Sequence, residues 1–278
     1  MCQHTESQVR NRGSGSNFSL SFLFLAKEKR SAIRTVYAFC RTVDDIVDKA
    51  EDRERAAEGL RLWEREVESC YGGKPDLPLM RDLSETIKRF RIPKEPLLDI
   101  IEGVRMDLTT NRYPMFSDLR KYCDRVAGAV GLVCMRIFGL SGEAADEYAL
   151  NLGCALQIIN ICRDVGADAD RGRIYLPLED LVRHGVSEEE ILEKEYSTAF
   201  RKLMAAQAVR AREFLSRADS TIFGADRRKI LPAEIMAGIY RRLLSNIASA
   251  GYAVLDRQIR VGIAGKIIEA LRARLRCR

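Results

Sequence analysis

The chain is predicted to fold as an all-α bundle, and three observations carry that expectation. Apolar residues recur at helical intervals along almost its whole length, as in Ile33, Tyr37, Cys40, Val43 and Val47. Alternating apolar and polar runs long enough to build a sheet are missing. Self-similarity at a fixed period, the mark of a solenoid, is missing too.

The elements follow in order. Between Ser19 and Glu58 the periodicity predicts two helices, broken near Ala26 to Lys29. Helical spacing continues from Gly59 to Tyr71 until Gly72-Gly73-Lys74-Pro75 ends it. A helix is expected around Leu79 to Arg89, and another begun by Pro93 or Pro96. Ser117-Asp118-Leu119 reads as a helix start. The segment it opens, to Phe138, carries small residues at Ala127-Gly128-Ala129 and Gly131, which let a second helix or a ligand approach closely. Gly139 to Gly142 is a turn, and Glu143 to Asp164 is a long helix apolar on every face, hence the core helix. A polar loop from Ala167 to Arg173 leads to Ile174-Tyr175-Leu176-Pro177, and helices follow to the end.

At 278 residues one all-helical domain can close around a single cavity, and no linker divides the chain. Residues 1–17 are polar and Gly/Ser-rich, lack the apolar stretch of a secretory signal, and are expected to form a flexible arm. Residues 18–278 are expected to form one domain with a basic C-terminal tail. The apolar runs are shorter than the roughly 18 residues of a membrane span. A net charge of +6 from 46 basic and 40 acidic residues does not indicate nucleic-acid binding. The basic excess gathers at the C-terminus, where Arg257 to Arg278 interleave with isoleucine and leucine, a pattern suited to peripheral contact with an anionic membrane. Eight cysteines without metal-type spacing fit a reduced, cytoplasmic protein. His4 and His184 are isolated, and no Gly-x-Gly-x-x-Gly follows a strand.

Two acidic clusters carry the chemistry. Asp44 and Asp48, and again Asp164 and Asp168, stand four residues apart, so on a helix each pair projects from one face. Facing each other across a cavity, they would offer hard oxygen ligands to divalent cations that grip a diphosphate. Tyr37, Arg41 and Asp45 form a row beside the first pair. Gln157 and Asn160 extend the second along an otherwise apolar helix, where buried amides and carboxylates need partners. Arg41 and Arg163 add cations suited to phosphate oxygens.

These stretches resemble the squalene and phytoene synthase family of head-to-head prenyl transferases. The resemblance rests on Tyr-Ala-Phe-Cys-Arg-Thr-Val-Asp-Asp-Ile-Val-Asp at 37–48, Tyr-Cys-Asp-Arg-Val-Ala-Gly-Ala-Val-Gly at 122–131, Leu-Gln-Ile-Ile-Asn-Ile-Cys-Arg-Asp-Val-Gly-Ala-Asp at 156–168 and Arg-Ile-Tyr-Leu-Pro at 173–177. It implies an isoprenoid-synthase-type bundle around a central cavity. It also implies Mg2+, or Mn2+ in its place, held by Asp44, Asp48, Asn160, Asp164 and Asp168. Arg41, Arg163, Tyr240 and Arg257 match phosphate-contacting positions; Tyr37, Gln157 and Arg173 belong to the substrate lining; Ser14, Ser16 and Asn17 lie where the family's Ser-rich flap meets diphosphate. Tyr122 matches the tyrosine that assists the proton loss closing a cyclopropane. Expected tunnel walls are Phe18, Phe22, Phe39, Val126, Ala127, Val130, Leu156 and Ile159.

Ser-Gly-Ser at 14–16, Arg-Met-Asp-Leu at 105–108, Met-Arg-Ile-Phe-Gly at 135–139 and Ile-Tyr-Arg-Arg-Leu-Leu at 239–244 resemble bacterial presqualene diphosphate synthases of hopanoid pathways. Two farnesyl diphosphates would then be joined without NADPH, with a downstream enzyme completing squalene. Phytoene synthesis, NADPH-dependent squalene synthesis and a non-catalytic assembly factor are the alternatives. Asn17 where serine is common, Ala26 in place of proline, and the lack of a basic residue near Ser16 depart from the family in the flap region.

Overall fold

The computed structural model describes residues 25–222 and 225–277. The expected arm, together with Ser14, Ser16, Asn17, Phe18 and Phe22, lies outside the described residues. The all-α expectation holds. Among the described residues there is no named strand, only an isolated parallel bridge between Arg112 and Ile174.

One group of helices gathers around α1 (Lys27–Asp48), which packs on α2 (Arg53–Gly72), α3 (Pro78–Phe90) and α4 (Glu95–Thr109). α1 turns Ala32, Ile33, Val36, Phe39 and Val43 inward at helical spacing. The expected continuous run to Glu58 is broken at Lys49–Asp52. There Asp52 adopts extended backbone and its side chain accepts the Arg55 N–H at 2.8 Å, so a second helix starts. α2 ends where Gly73, at φ 95°, takes the left-handed turn that its lack of a Cβ makes easy.

A second group surrounds α7 (Glu143–Ala169). It packs on α5 (Phe116–Cys123), the π-helical turn Asp124–Gly128, α6 (Ala129–Phe138), α9 (Glu188–Leu192), α10 (Thr198–Asp219) and α12 (Leu231–Ser249). The short helix α8 (Leu178–His184) packs on α10, α11 (Ala225–Lys229) is tied to α10 and α12 by Arg227, which pairs with Asp219 and Glu234, and α13 (Ile263–Arg276) packs on α12. α7 is the core helix that the sequence predicts, but it runs five residues further, so Asp168 is helical rather than part of a loop.

The small residues do what their size allows. A Cβ on Gly153 would stand 2.6 Å from the Gly128 backbone nitrogen, and one on Gly131 would stand 3.0 Å from the Ala149 carbonyl oxygen. The π turn and α6 therefore lie directly against α7, and α6 also touches α1. Polar ties lock the frame. Arg136 grips Asp146 through two hydrogen bonds of 2.8 and 3.1 Å, joining α6 to α7. Asp180, almost wholly buried, accepts from Gln207 at 2.9 Å and from Arg210. Burial alone would raise its pKa; the hydrogen bonds from Arg210 and Gln207, together with the charges of Arg210 and Arg183, outweigh that and hold it below the usual carboxylate range.

Candidate active site

α7 is buried on most sides but for one stripe. Leu156, Gln157, Asn160, Arg163, Asp164 and Asp168 are half-buried, while Ile158, Ile159, Ile161, Cys162 and Val165 between them are buried. The sequence predicts this stripe, and the fold turns it toward a recess. Tyr240, from α12, donates to the Asn160 side-chain oxygen at 3.1 Å, and the Asn160 amide leans toward Gln157 at 3.4 Å. Arg163 pairs with its neighbour Asp164, its Nε at 2.8 Å from one carboxylate oxygen.

Asp164 has a second partner that sequence reasoning missed. Gln258 donates to it at 2.7 Å from the loop between α12 and α13. That loop crosses α7 over Gly166, where a Cβ would fall 1.8 Å from the Leu255 carbonyl oxygen. Glycine is the residue that permits the crossing. Arg257, the expected phosphate contact, is exposed and donates to the Ala253 carbonyl at 3.2 Å, so its neighbour is the one on the carboxylate.

On α1, Asp44 and Asp48 are exposed along one side, with Tyr37 and Arg41 on the same exposed side. Arg41 bridges to Asp45 at 2.9 Å, and Asp45 also takes Lys49 at 2.7 Å. Asp44 touches solvent, yet loss of hydration is the main reason its pKa rises to about 6. The Arg41 charge opposes the rise, and the charges of Asp48, Asp107 and Asp45 add to it. A carboxylate both open to water and crowded by protein is one on the wall of a recess. Asp168 answers from α7, raised to about 7 by burial first and then by Asp164, with Arg171 and Arg173 opposing and Asp107 adding.

Asp107, on α4, is the junction between the two clusters. It lies within electrostatic reach of Asp44, Asp48 and Asp168. Its carboxylate accepts from Tyr175 at 2.7 Å and Tyr122 at 3.1 Å, and its carbonyl accepts from Arg173 at 3.2 Å. Burial pushes its pKa up, while the two hydroxyls and Arg173 pull it back. Tyr113, Tyr122 and Tyr175 pack ring to ring around it at 5.3–5.9 Å. Burial next to this carboxylate pushes the Tyr122 hydroxyl well above its ordinary pKa, so it stays protonated. The π turn begins directly after α5, which carries Tyr122, a local irregularity of the kind frequent at functional sites. Asp107 was visible in the Arg-Met-Asp-Leu string, but nothing local gave it a role.

The rim holds a cavity of about 310 Å³ lined by Val47, Asp107, Arg171, Arg173 and the Asp52–Arg53 corner. Val126, Ala127, Val130 and Leu156, four of the expected walls, are half-buried although they stand on central elements, as are Cys40 and Cys134. Two expected walls are corrected. Phe39 and Ile159 have no exposure at all, and Phe39 packs on Trp63 at 5.8 Å, so both belong to the solid core.

The donors suit a hard divalent cation: carboxylate and amide oxygens on two helices, with the repulsion between Asp164 and Asp168 and between Asp44 and Asp48 awaiting neutralisation. Among the described residues no three His, Cys, Asp or Glu side chains close on one point at ligand distance. A cation seated here would complete its shell with water and phosphate oxygens, as Mg2+ commonly does.

Comparison with known proteins agrees with this geometry. In curated sequences, the chain is 35% identical over 257 residues to phytoene synthase 2 of Oryza sativa and 36% identical over 256 residues to phytoene synthase 1 of Arabidopsis thaliana, covering 90% of this chain each time. It spans 65% and 61% of those two relatives' lengths. Among solved structures, a ligand-bound dehydrosqualene synthase superposes with a TM-score of 0.83 at 31% identity, covering 97% of this chain and 94% of the other. Squalene synthase HpnC from Alicyclobacillus acidocaldarius superposes at 0.78, again at 31% identity, over 88% of this chain and 94% of that one. The squalene/phytoene synthase family model matches residues 11–264, and with the two acidic stripes meeting at Asp107 the chain belongs to that family.

Proposed function

We propose that the chain joins two farnesyl diphosphates head to head, giving presqualene diphosphate. The observation that supports this most is the recess in which Asp44 and Asp48 of α1 and Asp164 and Asp168 of α7 meet around Asp107, next to an apolar wall. Mg2+, or Mn2+ in its place, held by Asp44, Asp48, Asn160, Asp164 and Asp168, would neutralise the diphosphate as it leaves. Arg41, Arg163 and Arg173 supply further positive charge, and Tyr37, Gln157 and Tyr240 orient the head group. In this reading Arg257 and the segment Ser14–Asn17 also contact diphosphate. The half-buried Val126, Ala127, Val130 and Leu156 keep water from the allylic cation. In this reading Tyr122, held by Asp107, assists the proton loss that closes the cyclopropane. No NADPH is needed for this step, and a downstream enzyme would consume the product.

A second reading is favoured by the curated relatives, which are named phytoene synthases: the tunnel accepts geranylgeranyl diphosphate instead. Incubation with each diphosphate and Mg2+, with and without NADPH, followed by product analysis, separates the two. Presqualene diphosphate from farnesyl diphosphate is expected. Phytoene from the longer substrate, with farnesyl diphosphate untouched, would overturn the first reading. No helix among the described residues is long and apolar enough to cross a membrane. We place the chain in the cytoplasm, peripheral to the inner membrane face.

A further inference from the structure

α13 is amphipathic in the reverse sense. The side packed on α12 consists of Gly265, Glu269, Ala270 and Ala273, small residues and one buried carboxylate. The opposite side carries Ile263, Ile267, Leu271 and Leu275 at successive i+4 positions with Ile268 beside them, and all five are exposed, Ile263 by 77% and Leu275 by 65%. An apolar stripe normally faces the core, so one facing outward on a helix end marks an interaction surface.

What surrounds the stripe is positive. Residues 257–278 hold seven basic residues against one acidic, Glu269, a net +6 that equals the formal excess of the whole chain. Arg272 and Arg274 flank the stripe on its two sides. Leu275 also borders a cavity of about 650 Å³ between α12 and α13, lined by Arg241, Arg242, Arg272 and Arg276 with Glu269 as the acidic group. Glu269 is already shared by Arg242 at 3.2 Å and Arg272 at 2.9 Å, which leaves positive charge in excess.

We propose that α13 seats the protein on an anionic bilayer: its outward stripe enters the acyl boundary, and the flanking arginines and the arginine-lined cavity take lipid phosphates. A helix of 14 residues lies along the interface rather than crossing it. A second copy of the chain would cover the stripe equally well, but it would bring the same positive charge to the contact, which disfavours it. The surface stands whichever prenyl chain the active site accepts.

Flotation of the full chain with phosphatidylcholine vesicles, and with vesicles also containing phosphatidylglycerol, tests this, alongside light scattering for the oligomeric state. The chain should float with the anionic vesicles, stay down with the neutral ones, and be released by salt. The triple variant Ile267→Ser/Leu271→Ser/Leu275→Ser should lower the floated fraction about tenfold, with circular dichroism and Tm unchanged. Arg274→Gln/Arg276→Gln should release at lower salt. Failure of the wild type to float, flotation of the triple variant to the same extent, or a dimer that the triple variant turns into monomers would each overturn the proposal.

Discussion

α7 and α13 depart from the ordinary rule in opposite directions. α7 carries amides, an arginine and two carboxylates along a stripe at the centre of the bundle, while α13 turns isoleucine and leucine to the outside. Both arrangements are unfavourable for the chain alone: the first leaves like charges close together in a poorly hydrated recess, and the second leaves apolar surface in water. The difference lies in what relieves them. The inward stripe is matched by Asp44, Asp48 and Asp107 on other helices, and in the proposed function its partner is a compact cation and anion together. The outward one has an open side, so its partner is an extended surface.

That contrast can be broken by mutation. The largest effect is expected at the inward stripe. Asp44→Asn or Asp164→Asn should lower turnover by about a thousandfold, equivalent to about 4 kcal/mol of transition-state stabilisation, with Tm held or raised in Asp44→Asn, where repulsion is relieved, and lowered in Asp164→Asn, which also loses the pair with Arg163. Product assay and thermal melting measure the two halves of that statement, and unchanged turnover in either variant would remove the acidic stripes from the chemistry.

Tyr122→Phe keeps the ring packing and removes the hydrogen bond to Asp107. Turnover should fall about a hundredfold at the proton-loss step, with KM little changed. A rise in KM alone would assign Tyr122 to binding.

Gly166→Ala tests the loop that brings Gln258 to Asp164. A Cβ 1.8 Å from the Leu255 carbonyl oxygen must push the loop away. A loss of about 1–3 kcal/mol in urea unfolding is expected, with turnover reduced. Gln258→Ala, which leaves the backbone alone, should reduce turnover less and leave stability as it is.

The smallest effect is expected on α13. Ile267→Ser or Leu271→Ser alone should change stability by no more than about 0.5 kcal/mol, since both are exposed. A serine at Ile159 or Phe39, each without exposure, should cost several times more. Urea titration of the four variants compares the two regions directly, and a large loss at Leu271 would mean that the stripe packs against protein.

The fold class and the two acidic stripes were legible in the sequence because helical periodicity states which residues share a face. So was α7 as the core helix, since its apolar residues surround it. The helix break at Lys49–Asp52 was missed because it depends on one capping side chain in a polar run. The spacing of Asp164 and Asp168 already puts both on one helix face, while apolar periodicity stops at Asp164 because a polar helix end looks like a loop. Phe39 and Val126 read alike as apolar candidates, and their neighbours alone separate core from wall.

By itself, then, the sequence determined composition along each face: carboxylates four apart, small residues where helices touch, arginine beside leucine at the C-terminus. The tertiary structure decided where each face points. Asp107 joined the two acidic clusters, Gln258 reached Asp164 across 94 positions of chain, and α13 presented its apolar side outward. A face is fixed by local spacing, whereas its direction depends on which distant helix covers the other side, and that information is spread over the whole chain.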